Sequence, residues 1–584
     1  MNPTEQNNEM TTESAILITN PIEKLTIKTH DQTIALPAGL YDSTEGIFGI
    51  VTVKIRDDAK IPTGTYLFNF EKDGSGSMAE LTEDGKSKDF HIRTTICNTL
   101  EALARIAHEN QQVQIYVRLC EFDTTIHQVL AATLVTAESV VEMTTTVRTR
   151  KLPGGNTNIE AALKNSVLSC EQFLAEHPDA HVISVITTDG DTNAGDSNQY
   201  SLAKIVKNKH FQTICIGYGA SHNSALLIGI SSSYFYVADL ERAGETIGEI
   251  LHDFLYIAVE KVELRIVHGE VFAEDQTWND VISCGNAIGG SSKVYSIHVP
   301  VLQHVAVLLY GKREGDRHMM MIESQTTIQV VDLTRDIFRH KTVQLLAEAQ
   351  QNLTTVILAP IHPRFHSGEQ EQYAQHMVEY KAELTIYVAA LEKCKADKKD
   401  IRLRLKTFFR MMKDYAKEKD MEQEPMMKQL LDDVYSIWLA FGRHFDANEA
   451  RAYTQAKFNC NLRQTSGNTS MRPIGMQRVR PFPNMRRQNA FCNSVPVRAI
   501  AGAFDDDEDV ASLQPPATFP MRQLTCAVYP GMERDLDDDE ERDLEDEEDL
   551  EDDLEHELTD EPTSAYATPK ALTLMREISS HARP

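Results

Sequence analysis

The chain has 584 residues, with 58 Lys and Arg against 87 Asp and Glu and a formal net charge of −29. This balance excludes a generally basic nucleic-acid-binding protein, while a hydrophobic content of 41% is enough for several packed cores. The acidity is concentrated near the C-terminus, because residues 533–561 hold 20 Asp and Glu against two Arg, a net charge of −18.

The sequence carries no signal for a membrane or a secretory route. The first ten residues are polar, and no apolar run approaches the roughly 20 residues that span a bilayer. The nine cysteines are scattered and include no C-x-x-C pair, which argues against a zinc ribbon, a RING or a thioredoxin-type site. We therefore expect an intracellular protein, in the cytoplasm, whose cysteines are reduced and mostly buried.

The first half of the chain changes its pattern twice. Residues 1–13 are polar and are expected to lack fixed structure, and residues 14–62 contain short apolar runs, among them KLTIKT, QTIALP and GIVTVKI, that predict strands. From 63 to 261 strands alternate with helices, and the last helix is predicted to run from 243 to 261. This alternation predicts an α/β unit with a mostly parallel sheet covered on both faces.

Strands return without helices in residues 262–333. Neither this segment nor 14–62 contains enough strands to cover its own apolar face. We therefore predict that the two segments pair into one β-sandwich into which the α/β unit is inserted.

Residues 334–457 are predicted to be helical, because apolar side chains recur every three or four positions and should pack together as a small bundle. One such stripe runs from Tyr373 to Cys394. Residues 458–584 are predicted to be disordered, first Arg-rich and then acidic. The seven Arg of residues 463–504 have no Asp or Glu among them, so a transient association with residues 533–561 is expected.

Three short polar loops carry the residues suited to chemistry. The first, DGSGS, follows a predicted strand; the second, GGNTN, opens a predicted helix; the third, TDG, ends another strand. In an open α/β sheet the C-terminal ends of the strands form the ligand-binding edge. Hydroxyl and carboxylate oxygens are hard ligands that suit Mg²⁺, Mn²⁺ or Ca²⁺. The predicted metal residues are Asp73, Ser75, Ser77, Thr157 and Asp189.

The expected division of roles follows from the charges of these groups. Ser75, Ser77 and Thr157 offer three neutral oxygens, and Asp73 and Asp189 hold metal-bound waters or bind directly. A cation with few charged ligands keeps much of its positive charge, so an Asp or Glu of a partner protein can complete its shell. The alternative is that the glycines of these loops only make turns.

The three loops resemble the metal-ion-dependent adhesion site of von Willebrand factor A domains. The resemblance covers residues 64–260 and implies a doubly wound sheet of strand order 3-2-1-4-5-6, with Mg²⁺ as the first candidate ion. The flanking strands and the segment GRHFDANEARAYTQAKFNCNLRQTSGN resemble intracellular members that have a β-sandwich and an intein-like C-terminal region. The RING that some relatives carry has no counterpart here, so ubiquitin-ligase activity is not implied.

The strand that leads into the first loop departs from the family pattern. Such a strand is usually apolar, but Asn69, Glu71 and Lys72 interrupt this one. A buried Lys or Glu is costly unless it is paired. Either the end of the strand is exposed at the site, or these side chains have partners.

These patterns predict a metal-dependent protein-binding scaffold that is not an enzyme. We find no G-x-x-x-x-G-K-[ST] and no G-x-G-x-x-G that opens a helix, so no nucleotide cofactor is indicated. Two alternatives stay open: a metal-dependent hydrolase built on Asp73, Asp189 and Asp191, and a charge-mimic or chaperone protein whose acidic tail binds basic partners. The partner and the oligomeric state are left open.

Overall fold

The structure is a computed structural model. It describes residues 20–41, 46–58, 60–82, 84–219, 222–237, 243–273, 275–300, 305–313, 318–355, 360, 370–442, 450–455, 457–458 and 569–579. The expectations for residues 1–13, for the Arg-rich segment and for the acidic segment lie outside the described residues.

Strands and helices alternate through the α/β unit, as predicted. Two strands precede it, β1 (Ile22–His30) and β2 (Ile47–Ile55). The unit itself consists of β3 (Gly64–Asp73), α1 (Lys88–Glu109), β4 (Val113–Phe122), β5 (Ile126–Leu134), α2 (Ser139–Thr149), α3 (Ile159–Glu176), β6 (His181–Thr188), α4 (Gln199–Val206), β7 (Gln212–Tyr218), α5 (Ser224–Ile230), β8 (Ser233–Val237) and α6 (Ala243–Leu255).

The six strands form one sheet in the order β5-β4-β3-β6-β7-β8, in which β5 alone runs antiparallel to its neighbour. Helices α1, α2 and α6 pack on one face of this sheet, and α3, α4 and α5 pack on the other. β3 is central and hydrogen-bonds to β4 and β6. The C-terminal ends of β3 and β6 therefore meet at one edge, since parallel neighbours end on the same side.

The strands outside the α/β unit form two further sheets. They are β9 (Ile257–Val267), β10 (Glu270–Phe272), β11 (Trp278–Asn279), β12 (Val281–Ile288), β13 (Ser292–Val299), β14 (Ala306–Lys312), β15 (Met320–Gln325) and β16 (Ile328–Val331). One sheet has the order β11-β10-β13-β2-β1-β16 and the other β12-β9-β14-β15, and one apolar cluster joins them. The N-terminal strands share a sheet with distant ones, because Val51 of β2 lies opposite Tyr295 and Ile27 of β1 lies opposite Ile328.

Two predicted elements are wrong in detail. The helix expected to reach residue 261 ends at Leu255, and β9 begins at Ile257 because Val262, Leu264 and Ile266 alternate as inward-facing side chains of a strand. The run QTIALP is not a strand. Asp31 accepts a hydrogen bond from the Thr33 amide at 2.9 Å and starts a turn there.

The helical region contains α7 (Thr334–Thr354), α8 (Gln370–Glu418) and α9 (Pro425–Ala440). These helices belong to the same apolar cluster as α3, α4 and α5. Leu405, Met412, Leu430 and Val434 are buried in this cluster. The stripe from Tyr373 to Cys394 is only half-buried. No helix in the described part of the chain is both long enough and apolar enough to cross a membrane.

The prediction that residues 458–584 lack regular structure is wrong for residues 569–579. They form α10 (Pro569–Ser579), which packs on α1 and α6. Leu574, Met575 and Ile578 of α10 are buried, and the Ile578 carbonyl accepts a hydrogen bond from Asn98 Nδ2 at 2.6 Å. Arg105 of α1 forms an ion pair with Glu577 of α10. The Arg-rich and acidic stretches dominate the composition of residues 458–584 and hide this short helix.

The close approach of α10 to α6 depends on Gly248, and this generates a prediction. A Cβ at Gly248 would lie 2.9 Å from the backbone of Met575. Gly248→Ala should therefore push α10 away, despite the roughly 1 kcal/mol by which Ala favours a helix over Gly. We expect limited proteolysis to release the C-terminal peptide faster, as measured by mass spectrometry.

Gly229→Ala is the matched control, because this glycine of α5 faces the flexible side chain of Gln199. It should leave the release rate unchanged. Equal release rates for the two variants and the original chain would contradict the packing of α10 on α6.

Candidate functional site

The candidate site lies where β3 and β6 end. Lys72 of β3 is in register with Thr187 of β6, so Asp73 and Thr188 leave the sheet side by side. The third loop comes from the start of α3, where the Asn158 side chain caps the helix by accepting from the Ala161 amide at 3.0 Å. The sheet and this cap together bring the three predicted loops to one edge.

Two serine hydroxyls and two carboxylates form the centre of the site. The Oγ atoms of Ser75 and Ser77 lie 3.0 Å apart, and Ser77 Oγ donates to Asp189 Oδ1 at 2.7 Å. Asp73 accepts from the Ser75 amide at 2.8 Å and from Thr188 Oγ1 at 2.5 Å. Asp73, Ser75 and Asp189 are buried, while Ser77 is half-buried. Hydrogen bonds therefore link four of the five predicted residues in one series, from Asp73 through Ser75 and Ser77 to Asp189.

Thr157, the fifth residue, is positioned by the loop after β6. Its amide donates to Asn193 Oδ1 at 2.7 Å, and its carbonyl accepts from the Asn193 amide at 3.1 Å. A Cβ at Gly190 would lie 3.6 Å from Thr157 Oγ1 and 3.7 Å from Ser77 Oγ. Both hydroxyl oxygens thus lie within 4 Å of the same point beside Gly190, which brings the second loop close to Ser77.

Backbone hydrogen bonds fix the first two loops to each other. The Gly76 amide donates to the Gly155 carbonyl at 3.0 Å, and the Gly154 amide donates to the Gly74 carbonyl at 2.8 Å. Gly154 has a φ of +84°, a conformation that glycine adopts without steric cost. The first two loops are therefore joined to each other through their backbones.

Lys72 lies directly below the site and is fully buried. Its ammonium forms an ion pair with Asp89 Oδ1 at 2.5 Å, donates to Glu121 Oε1 at 3.3 Å and donates to the Asp73 carbonyl at 3.2 Å. Arg93 pairs with Asp89 as well, and the ion pair of Arg150 with Glu121 has a length of 3.0 Å. The network joins the end of β3, the start of α1, the end of β4 and the segment before the second loop.

Glu71 is also buried and paired. Arg118 Nη1 donates to Glu71 Oε1 at 2.8 Å, and Asn165 Nδ2 donates to the same oxygen at 2.9 Å. Burial raises the pKa of Glu71, although Arg118 and the hydrogen bonds act in the opposite direction. Of the two possibilities that the sequence left open for Glu71 and Lys72, the structure has the second: both side chains have partners.

Sequence reasoning missed Lys88, the first residue of α1. Its ammonium lies 2.6 Å from Asp189 Oδ2 and 2.7 Å from Glu80 Oε2. Partial burial lowers the pKa of Lys88, but the hydrogen bonds to Asp189 and Glu80 raise it by more, so the pKa is above its ordinary value. A cation in the first turn of a helix opposes the helix dipole, and that anomaly was a signal in the sequence.

The arrangement fits a hard divalent cation. Burial raises the pKa of Asp73 to about 6, against hydrogen bonds from Thr188 and Ser75 that lower it. A positive charge in this pocket would offset the burial of its carboxylates. Among the described residues there is no cluster of three or more His, Cys, Asp or Glu side chains that could hold a metal.

Comparisons with known proteins give neighbours in fold. No model of a protein family matches the sequence, and no curated protein matches it. A von Willebrand factor type A protein from Catenulispora acidiphila is 14% identical, with 57% of this chain and 82% of that chain covered and a TM-score of 0.39. The ArnB paralog VWA2 from Sulfolobus acidocaldarius is 13% identical, with 76% of this chain and 98% of that chain covered and a TM-score of 0.38.

A third neighbour is proximal thread matrix protein 1 from the mussel byssus, whose structure has a zinc-occupied MIDAS motif. It is 16% identical, with 32% of this chain and 46% of that chain covered and a TM-score of 0.27. The first two of these neighbours are named as von Willebrand factor A proteins. At these identities and TM-scores the likeness concerns the fold alone, and no residue role is taken from it.

The buried network generates a prediction about stability. Lys72→Met leaves Asp89 and Glu121 with one basic partner each, so we expect a loss of about 3 kcal/mol in the free energy of unfolding, the low end for breaking a buried pair. Urea denaturation measures it. Lys54→Met breaks a pair with Glu23 that is about half exposed, and it should cost less than about 1 kcal/mol. Similar losses for both variants would show that burial of Lys72 has no special role.

Proposed function

We propose that the protein is a metal-dependent protein-binding scaffold. One divalent cation, with Mg²⁺ as the first candidate, is held by Ser75, Ser77 and Thr157. Asp73 and Asp189 orient the water molecules bound to this cation. The bound cation supplies an open coordination position for an Asp or Glu of a partner protein. The observation that carries the proposal is the closeness of three hydroxyls: Ser77 Oγ and Thr157 Oγ1 lie within 4 Å of the same point beside Gly190, and Ser75 Oγ lies 3.0 Å from Ser77 Oγ.

The two carboxylates support binding rather than hydrolysis. Asp73 accepts hydrogen bonds on both of its oxygens, and Asp189 is held by Ser77 and Lys88. A hydrolytic metal centre usually binds carboxylates directly, whereas these carboxylates are engaged by protein groups. The hydrolase alternative predicts Mg²⁺-dependent phosphoesterase turnover, and our proposal predicts none.

We propose that this binding takes place inside the cell, in the cytoplasm. None of the six cysteines within the described residues forms a disulfide, and four of them are buried. Burial raises the pKa of the Cys215 thiol to about 12, which keeps it protonated and unreactive. Such cysteines suit a reducing compartment.

Removal of one hydroxyl ligand should weaken metal binding without unfolding the protein. Ser77→Ala is expected to weaken Mn²⁺ and Mg²⁺ binding about tenfold or more, as measured by calorimetry, because the ion loses one oxygen ligand of a small set. Ser169→Ala removes a hydroxyl on α3 that donates to the Asn165 carbonyl at 2.8 Å, and it serves as the control. Equal metal affinities for the two variants would contradict the assigned site.

Partner capture is tested with peptides selected on the full chain. Peptides from a random display library that bind in Mg²⁺ and are released by a chelator should share one required Asp or Glu. Changing that residue to Asn or Gln should abolish binding. Metal and peptide should tighten each other's binding by the same factor, since the coupling is reciprocal. Selected peptides that bind equally well with a chelator would overturn metal-dependent capture.

Lys88 sets the resting affinity of the site for a cation. Its ammonium already neutralises part of Asp189, and a divalent ion nearby would be repelled by it. Lys88→Met should therefore tighten Mg²⁺ binding about tenfold, a change of roughly 1.4 kcal/mol. Calorimetry measures this change, with Lys86→Met as the control, because Lys86 pairs with Asp84 and is not bonded to Asp189. Weaker Mg²⁺ binding in Lys88→Met would contradict this role.

A further inference from the structure

Two buried histidines and four aromatic side chains meet where the β-sandwich contacts α7. The histidines are His298 of β13 and His340 of α7. The aromatic side chains come from β2, β10, β11 and the segment between β1 and β2. We call the six residues the histidine cluster: Tyr41, Phe48, Phe272, Trp278, His298 and His340.

The two imidazole rings are packed against aromatic rings. Trp278 stacks on His298, with the ring centroids 3.7 Å apart and an angle of 8° between the ring planes. The Tyr41 hydroxyl forms a hydrogen bond with His298 Nε2. The centroid of the His340 ring lies 4.6 Å from that of Phe272 and 5.4 Å from that of Trp278. Trp278 therefore contacts both histidines and joins the sandwich to α7.

The strands that carry Phe272 and Trp278 are the shortest of those that the structure describes. β10 has three residues and β11 has two, and together they form one edge of their sheet. β10 pairs with β13 through Glu270 opposite His298 and Val271 opposite Ile297. Strands with so few backbone pairs open locally more easily than long central strands. Opening of β10 and β11 would bring water to both histidines.

We propose that the histidine cluster is a pH-sensitive contact, which holds β10 and β11 against α7 at neutral pH and releases them in mild acid. The contact is closed while both imidazoles are neutral, and protonation of His340 opens it. An imidazolium at this position is a buried cation among six side chains that include no carboxylate, and burial of such a charge is costly. Stacking on Trp278 offsets part of this cost for His298, so His340 is the decisive group.

The charged groups near His340 all oppose its protonation. Burial lowers the pKa of His340 to about 3, and His298, Lys341 and Arg339 act in the same direction. Burial also lowers the pKa of His298, against the effect of Glu270 on β10, which raises it. β2, β11 and the segment between β1 and β2 contribute the uncharged rings of the cluster.

The direction of the pH effect follows from the two states of His340. In the open state the pKa is that of an exposed histidine, about 6.5, whereas in the closed state it is about 3. The closed state therefore has its full stability above pH 6.5 and loses it progressively as the pH falls from 6.5 towards 3. Between pH 7 and pH 5, His340 alone raises the ratio of open to closed molecules about 25-fold.

Hydrogen exchange of the full chain, followed by mass spectrometry, tests the proposal. The measured quantity is the protection factor, which corrects for the intrinsic effect of pH on amide exchange. Protection of β10 and β11 should fall about 25-fold from pH 7 to pH 5. Protection of β3 and β6 should fall much less, which separates local opening from unfolding of the whole chain. The histidine cluster includes no residue of the cation site, so this test is independent of the proposed function.

Two variants of His340 and one control complete the test. His340→Gln replaces the imidazole with an amide that does not titrate, and His340→Phe keeps a ring in the cluster; each should reduce the fall in protection to a few-fold. His181→Gln is the control, because His181 stacks on Tyr66 in the α/β unit, outside the cluster, and it should keep the fall of about 25-fold. Protection of β10 and β11 that does not change with pH, a full pH effect in both His340 variants, or an equal loss in β3 and β6 would each overturn the proposal.

Discussion

The buried ammonium of Lys72 is the constraint on which the site depends. A buried charge in an α/β sheet is tolerated only where oppositely charged partners surround it. The partners of Lys72 are Asp89, at the start of α1, and Glu121, at the end of β4. Arg93 and Arg150 close the network on either side. The network therefore holds together the segments from which the site loops emerge, immediately below the hydroxyl groups.

The loops above this network are also joined to each other directly. Two amide-to-carbonyl hydrogen bonds, one from Gly76 and one from Gly154, join the first loop to the second. The hydroxyls of Ser77 and Thr157 are thus presented by a prearranged backbone, and a ligand would not have to order them. A site of this kind spends little binding free energy on conformational entropy. Lys88, from the start of α1, forms an ion pair with Asp189 of the same group of residues.

Much of this arrangement was visible in the sequence. The alternation of strands and helices predicted the α/β unit, and the rule that loops at the C-terminal ends of parallel strands converge placed Asp73 and Asp189 together. The place of Lys88 in the site could not be predicted, because its partner Asp189 is distant in the sequence. The contact between them depends on how α1 is oriented against the sheet. The start of β9 was missed because the apolar residues of α6 continue into the strand without a Gly or Pro between them. The packing of α10 depends on Gly244 and Gly248, whose role appears only when two helices are seen together.

The position of a bound ion tests the central claim most directly. Crystals of the full chain soaked in Mn²⁺ can be measured at the manganese absorption edge, and the anomalous difference map then locates the ion without reference to the protein. We expect one peak above Gly190, at about 2.1–2.3 Å from the Oγ atoms of Ser75 and Ser77 and from Oγ1 of Thr157. Absence of a peak there, or a peak bound only by carboxylates elsewhere, would contradict the account.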